Sequence, residues 1–505
     1  MSNAKRNVVF KTYSQNQIFL IPPTFDELVA ENHPVRTVSA VIDKLSLNPL
    51  LDTYKGGGTS SYHPRMLLKV LVYSYLNNVY SSRKIEAAVQ ENIHMMWLAG
   101  MTKPDHNTIN RFRTERLKGV IKEVFSQVVM LLTESGHVSL QEVYTDGTKI
   151  ESAANKYTFV WGRSIKTNKE RIGKQLEELW NYTQNIAKEE LKDTEPVNFT
   201  NIDQEKVKQT VEKIEKALSG KKVDKKVKQK LNYVKKNFEA NLNKYDQQEK
   251  ILNGRKSYSK TDPDAIFMRM KEDHMKNGQL KPGYNLQIST HKQFILNYSL
   301  HQSSTDTNTL IPHLEQFKTL YNTLPQTLTA DAGYGSEENY HYLDKNNIEG
   351  YVKYNTFRQE LKGKVAEKKF REDKDGNLIC PNGQKMNHIG FKTRKTANNY
   401  IQTYQIYQGQ NCQLCPLLGV CHKGDGNKRI EHNHSLERYK AKARTKLLSE
   451  TGIKHVKQRA CDVEPVFAAL KHNKGFRRFY TRGLNKVEIE TGLLSIAHNL
   501  AKMRA

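Results

Sequence analysis

Val143-Tyr144-Thr145-Asp146-Gly147 and Leu328-Thr329-Ala330-Asp331-Ala332-Gly333-Tyr334-Gly335 share one grammar: an apolar, partly β-branched run followed by an acid and a small residue. Each reads as a strand that ends in an acid. Asp-Gly is also a strong turn signal, so turn chemistry accounts for either acid taken singly. Working outward, strand patterns recur at 142–150, 284–290 and 294–301, an amphipathic helix with Leu310, Leu314 and Phe317 spans 308–321, and a helix at 336–345 precedes a short strand at 350–354. The order is strand, helical insertion, strand, strand, helix, strand, helix, strand. It predicts an α/β fold, a mixed sheet with helices packed on it, with the two acids on neighbouring strands.

A third acid stands in Asp462-Val463-Glu464-Pro465-Val466-Phe467. Pro465 suits a first helical turn, and the helix is predicted to continue through Lys471, two turns from Glu464 on the same face and beside the substrate phosphate. An all-carboxylate set (Asp146, Asp331, Glu464) suits Mg²⁺ or Mn²⁺ rather than zinc, because hard cations take oxygen ligands and leave positions open for phosphate and water. Two such ions roughly 3.5 to 4 Å apart activate one oxygen and stabilise another in an in-line displacement.

The 505 residues allow several domains. Lys and Arg number 80 against 53 Asp and Glu, a net charge of +27, which points to a polyanionic partner. No apolar run approaches the ~18 residues of a spanning helix and residues 1–20 lack a signal-peptide core, so the expectation is a cytoplasmic, nucleoid-associated protein with no membrane partner. Five cysteines argue against a secreted disulfide framework.

Residues 1–140 read as an all-helical N-terminal domain. Within it, 82–90, 94–99 and a third helix from about Thr108 follow helix-turn-helix grammar, with Asp105 or Asn107 as cap. Its outward residues Asn110, Arg111, Arg113 and Arg116 are DNA-binding candidates, and a basic solvated face is the plain alternative. The strand segment 141–163 is followed by a Lys/Glu-rich insertion, 164–256, where Val207, Val211, Ile214 and Leu218, then Val227, Leu231, Val234 and Phe238, predict a helical hairpin. The strand pattern resumes over 257–355. A Cys-containing insertion, 356–455, holds Cys380, Cys412, Cys415 and Cys421, candidates for one structural Zn²⁺ with His422 a possible substitute; unligated thiols or a redox pair are the alternatives. Residues 456–505 carry Glu464, and downstream Arg477, Arg478 and Arg482 are further DNA-binding candidates or simply basic surface.

The segments YTDGTKIESAANKYTFVW, TDPDAIFMRM, KPGYNLQIS, LTADAGYGSEENY and VEPVFAALKHNKGFRRFYTRG closely resemble bacterial insertion-sequence transposases of the DDE type. SSRKIEAAVQENIHMMWLAGMTKPDHNTINRFR resembles the helical domain before their catalytic core. The resemblance implies an RNase H-like core with Asp146, Asp331 and Glu464 in the catalytic acid positions, preceded by an all-α DNA-binding domain. It further implies two divalent ions, double-stranded DNA (element ends and target) as partner, and a homo-oligomer on DNA. Relatives carry a Tyr-Arg-Glu-Lys signature; here Glu464 and Lys471 keep its last spacing, whereas Arg459 is one position too far from Glu464 and Lys457 stands where Tyr belongs. A nuclease without strand transfer, a repressor with a dead core, and a generic RNA-binding protein are the rival readings.

Overall fold

A computed structural model describes residues 24–54, 61–188, 198–200, 202–270, 278–362, 370–373 and 376–504. The N-terminal part is helical: α1 (Pro34–Lys44), α2 (Pro64–Leu76), α3 (Ser82–Glu91), α4 (Ile93–Leu98), α5 (His106–Arg111) and α6 (Ile121–Glu134). Both α1 and α2 begin with a His-Pro pair, in which the proline takes the first helical position and the histidine Nδ1 accepts an orphan backbone N–H at 3.2 Å.

One mixed sheet organises the rest. Its strands are β1 (Glu142–Glu151), β2 (Ile266–Arg269), β3 (Leu280–His291), β4 (Phe294–His301), β5 (Thr327–Ala330) and β6 (Glu349–Val352). The sheet order is β2-β3-β1-β5-β6, with β4 also on β3. β1, β5 and β6 run parallel, and β2, β3 and β4 pair antiparallel. This is the predicted order with one added edge strand, β2. β1 is central and almost continuously buried, as expected for a strand covered on both faces.

The insertion between β1 and β2 differs from the expected hairpin, because a long helix precedes it. α7 (Gly162–Ile186), α8 (Gln204–Leu218) and α9 (Lys225–Leu252) form a three-helix unit around a separate core that includes Leu176, Trp180, Val211, Ile214 and Phe238. The polar composition of 162–186 hid a narrow apolar seam at Ile172, Leu176 and Leu179. A two-stranded clamp, Phe159–Trp161 against Ser257–Ser259, closes its neck.

α10 (Leu310–Tyr321) and α11 (Glu337–Lys345) follow β4 and β5. After β6 come β7 (Arg371–Glu372), β8 (Leu378–Ile379), β9 (Asn387–Lys395), β10 (Ile401–Gln408) and β11 (Arg429–His432), then α12 (His434–Leu448), α13 (Glu450–Ala468) and α14 (Leu484–Lys502). α14 is buried on nearly every side. It packs against β4 on one side and against α2 and α6 on the other. The N-terminal helices and the sheet therefore share one continuous hydrophobic core. Among the described residues, no helix is long and apolar enough to cross a membrane.

Candidate active site

Register brings the two strand acids level. Thr145 on β1 lies opposite Ala330 on the parallel neighbour β5, so Asp146 and Asp331 follow side by side on strands about 4.8 Å apart. The two then part. The chain leaves the sheet at Asp331, whose Oδ1 accepts the Gly333 N–H at 2.8 Å and heads a single 3-10 turn, Ala332–Tyr334. Asp146 lies within β1, which runs on to Glu151, so the expectation that each acid ends its strand holds for Asp331 and fails for Asp146.

The glycines after these acids have a spatial reason. A Cβ on Gly147 would meet Gln287 Nε2 at 2.3 Å and Asp306 Oδ1 at 2.8 Å, and one on Gly333 would lie 3.4 Å from Asp306 Oδ2. Asp306 is thus a fourth carboxylate beside the pair, one that the sequence reading did not single out. Its Oδ1 accepts from Asn285 Nδ2 (2.7 Å) and Gln287 Nε2 (3.0 Å) on β3. Tyr334, buried below, donates its hydroxyl to Gln287 Oε1. Burial holds the Tyr334 phenol far above its ordinary value, reinforced by the charges of Asp146, Asp306 and Asp331.

Glu464 arrives on α13. The expectation that Pro465 opens a helix is corrected: α13 begins at Glu450, capped by Ser449 Oγ on Gly452 N–H (3.1 Å), and Pro465 is interior. An interior proline leaves the carbonyl four residues back without its helical donor. That carbonyl belongs to Cys461, and Gln293 Nε2 from the β3–β4 turn supplies the missing bond at 3.0 Å. Gln293 N–H also donates to the buried Asp462 Oδ1 at 3.0 Å. After Ala468 the chain makes a π turn, Ala469–Asn473, which holds Lys471 at 4% exposure. Regular α spacing between Glu464 and Lys471 is therefore broken.

Arg459 joins the sets. Its Nη1 lies 3.0 Å from Asp146 Oδ2 and its Nη2 3.5 Å from Glu464 Oε1. Despite its irregular spacing from Glu464, the guanidinium sits between a strand acid and the helix acid. Lys353, just beyond β6, is a second cation in this neighbourhood: burial pulls its ammonium below the ordinary lysine value, Arg459 adds to this, and Asp331 and Glu464 oppose it. Nothing in the spacing of the sequence marked Lys353.

The basic candidates divide. Asn110 and Arg111 are exposed, and α5 is capped by Asp105 Oδ1 on Thr108 N–H (2.8 Å). The outward expectation for Arg113 is corrected: a π turn, Phe112–Arg116, rotates it inward to 4% exposure, with Nη1 on Tyr80 O (2.7 Å) and near Glu490 (3.9 Å). Arg116 is likewise engaged, bonded to Thr53 O and stacked 4.5 Å over Tyr54. Arg478 donates to Ser152 O and Ala154 O (3.0 Å each), Arg482 to Ala153 O (3.0 Å), and Arg477 to Lys471 O (3.4 Å). Arg478 and Arg482 therefore hold the segment that follows β1.

Cys380, Cys412, Cys415, Cys421 and His422 line one cavity of about 30 Å³. The Cys412 and Cys415 sulfurs each accept a backbone N–H at 3.5 Å, from Lys428 and Leu417. Cys461 is exposed and lies apart from them in the sequence.

Residues 379–504 match the family described as Transposase DDE domain, and residues 23–115 match the Transposase domain (DUF772). No curated protein and no solved structure matches the chain. The two matched regions define a DNA transposase. Together they indicate an insertion-sequence transposase of the DDE type, and the DDE match indicates a metal-dependent enzyme that cleaves DNA and transfers strands. The matched DDE region contains Glu464 and Lys471, whereas Asp146 and Asp331 lie outside both matches.

Proposed function

We propose that Asp146, Asp331 and Glu464 are the catalytic acids of this transposase, and that it binds the terminal inverted repeats of its own element, cleaves there and joins the freed end to target DNA. The observation that carries this reading is the β1–β5 register, which sets Asp146 and Asp331 side by side, with Arg459 linking Asp146 to Glu464. The core is read as RNase H-like, supported by three parallel strands (β1, β5, β6) flanked by the antiparallel β3 and β4.

The donor set fits two Mg²⁺ or Mn²⁺ ions, because the acids offer oxygens only and their mutual repulsion is already met by cations. Bound there, the ions would supply an activated attacking oxygen and a stabilised leaving one. The chain's own residues do the positioning. The sheet fixes the strand acids, Asn285 and Gln287 orient Asp306 beneath them, and Arg459 and Lys353 offset the concentrated negative charge. Lys471 is proposed to act beside the substrate phosphate.

Exposed Asn110, Arg111 and Arg477 are proposed DNA contacts; Arg113, Arg116, Arg478 and Arg482 are proposed to shape that surface through the bonds described above. Joining two ends calls for a dimer or larger assembly on double-stranded DNA. The four-thiol cavity suits one structural Zn²⁺, remote from the chemistry. The test is Mg²⁺-dependent cleavage and strand transfer on a labelled element-end duplex, wild type against Asp331→Ala. Cutting and joining by wild type alone is expected; equal activity in the variant removes Asp331 from the site, and nicking without joining turns the reading to a nuclease.

A further inference from the structure

We propose a second metal site, independent of the catalytic acids and of the four thiols, formed by Glu372, His432 and His434. Among the described residues this is the group whose His, Cys or carboxylate ligand atoms all lie within 4.8 Å of one another. Glu372 ends β7, His432 ends β11 and His434 opens α12. Glu372 Oε1 lies 2.8 Å from His434 Nδ1, and Glu372 Oε2 lies 3.8 Å from His432 Nε2. Two ligands bound at 2.0–2.1 Å in a tetrahedral array sit roughly 3.3 Å apart, so these distances bracket the spacing a zinc-type ion needs.

The hydrogen bonds of Tyr407 add an independent argument. Its hydroxyl donates to Gln405 Oε1 at 2.6 Å, and the same oxygen lies 2.8 Å from His434 Nε2. With its proton committed to Gln405, Tyr407 accepts, and His434 carries its hydrogen on Nε2. In the neutral imidazole the Nδ1 lone pair then points at the Glu372 carboxylate. A cation between them resolves that opposition, and a ligating histidine whose other N–H is held by an oxygen partner is the usual arrangement around metals. Two imidazoles and one carboxylate leave a fourth position for water. The ion would tie the antiparallel pair β7–β8 and the three-stranded sheet β9-β10-β11 to the start of α12, which leads directly into the Glu464 helix.

The test is metal content of the full chain after stripping with a chelator and reloading with Co²⁺, in wild type, His434→Ala and Glu372→Gln. Each variant is expected to lose one equivalent while any sulfur-to-cobalt charge-transfer absorption stays unchanged, and Tyr407→Phe is expected to weaken binding about 10- to 100-fold. Glu372→Gln keeps the exposed side chain's shape, so a loss there with an unchanged circular dichroism spectrum is not unfolding. Undiminished Co²⁺ content in both ligand variants overturns the proposal and leaves a His434–Glu372 ion pair. Loss of charge-transfer absorption along with the equivalent overturns it too, since the ion would then belong to the thiols.

Discussion

The strand acids and the helix acid are held by different physics. Asp146 is paired with Ile288 of β3 and directly follows the Thr145–Ala330 pair of β1 and β5, and its side chain is 11% exposed; Glu464 projects from a helix that contains a proline, ends in a π turn and leaves the carboxylate 60% exposed. A one-residue slip of β1 would turn every side chain over and cannot happen gradually, whereas the end of α13 can shift by fractions of a turn. The strand pair is thus the fixed reference of the site, and Glu464 is its adjustable member.

The largest expected effects test that contrast directly. Asp146→Asn and Asp331→Asn should each lower cleavage by about 10³-fold or more, the scale seen when a group that stabilises transition-state charge is removed. End binding should change little, because the acids serve metal rather than DNA grip. Glu464→Asp should retain part of the activity, falling about 10²-fold, the cost of a displacement near 1 Å. If Glu464→Asp is as inactive as Asp146→Asn in the same single-turnover assay, the helix acid is no more adjustable than the strands.

Arg459 sharpens the comparison, since its guanidinium lies between both kinds of acid. Its guanidinium competes with divalent ions for Asp146 Oδ2 and Glu464 Oε1. Arg459→Gln should therefore tighten Mn²⁺ binding about tenfold, equivalent to roughly 1.4 kcal/mol, measured by the free-Mn²⁺ resonance signal. Weaker binding in the variant would mean that Arg459 shapes the acid site rather than occupying it.

The same division explains what the sequence made legible. Strand order and the adjacency of Asp146 and Asp331 follow from period-2 patterns and apolar runs, which are local signals. Asp306 and Lys353 were invisible because their role comes from residues that the fold brings close from elsewhere in the chain: Asn285 and Gln287 for one, Arg459, Asp331 and Glu464 for the other. Helix phase was the other blind spot. Two π turns, at Phe112–Arg116 and Ala469–Asn473, reset which side chains face inward, and a regular 3.6-residue count placed Arg113 outside and Lys471 in phase with Glu464. Pro465 misled for a related reason, since a proline in a first turn and an interior proline rescued by Gln293 look alike in sequence.

Arg113 supplies the intermediate effect. It faces the fully buried Glu490, whose carboxyl is pushed up by burial and held back by Arg113. Arg113→Met should cost about 3 to 5 kcal/mol in urea unfolding, as when one partner of a buried pair is removed. The exposed Arg111→Met should stay within about 0.5 kcal/mol. A raised folded-state value means that stability is full below the ordinary carboxylate range and declines as pH rises through the raised value. Without Arg113 that decline extends further upward, so the variant's deficit should grow from mildly acidic to neutral pH. A deficit independent of pH would assign the loss to packing alone.

The smallest effect concerns how the adjustable end of α13 is tied to the fixed sheet. Gln293 sits in the two-residue β3–β4 turn at φ +65°, uncommon for a residue with a side chain, and uses that position to reach Cys461 O and Asp462. Gln293→Ala should cost about 1 kcal/mol, the net worth of a hydrogen bond whose acceptor then loses its donor. Gln293→Gly should cost less, because glycine relieves the backbone while losing the same side-chain bond. Pro465→Ala gives Cys461 O an intrahelical donor and makes the Gln293 side chain redundant there. In the Pro465→Ala background, Gln293→Ala should therefore cost less, losing only the bond its Oε1 accepts from Lys502 Nζ (3.1 Å), and the difference between backgrounds is the coupling between turn and helix. Equal costs in both would show that the Cys461 bond contributes nothing, and the helix acid would then need another tether.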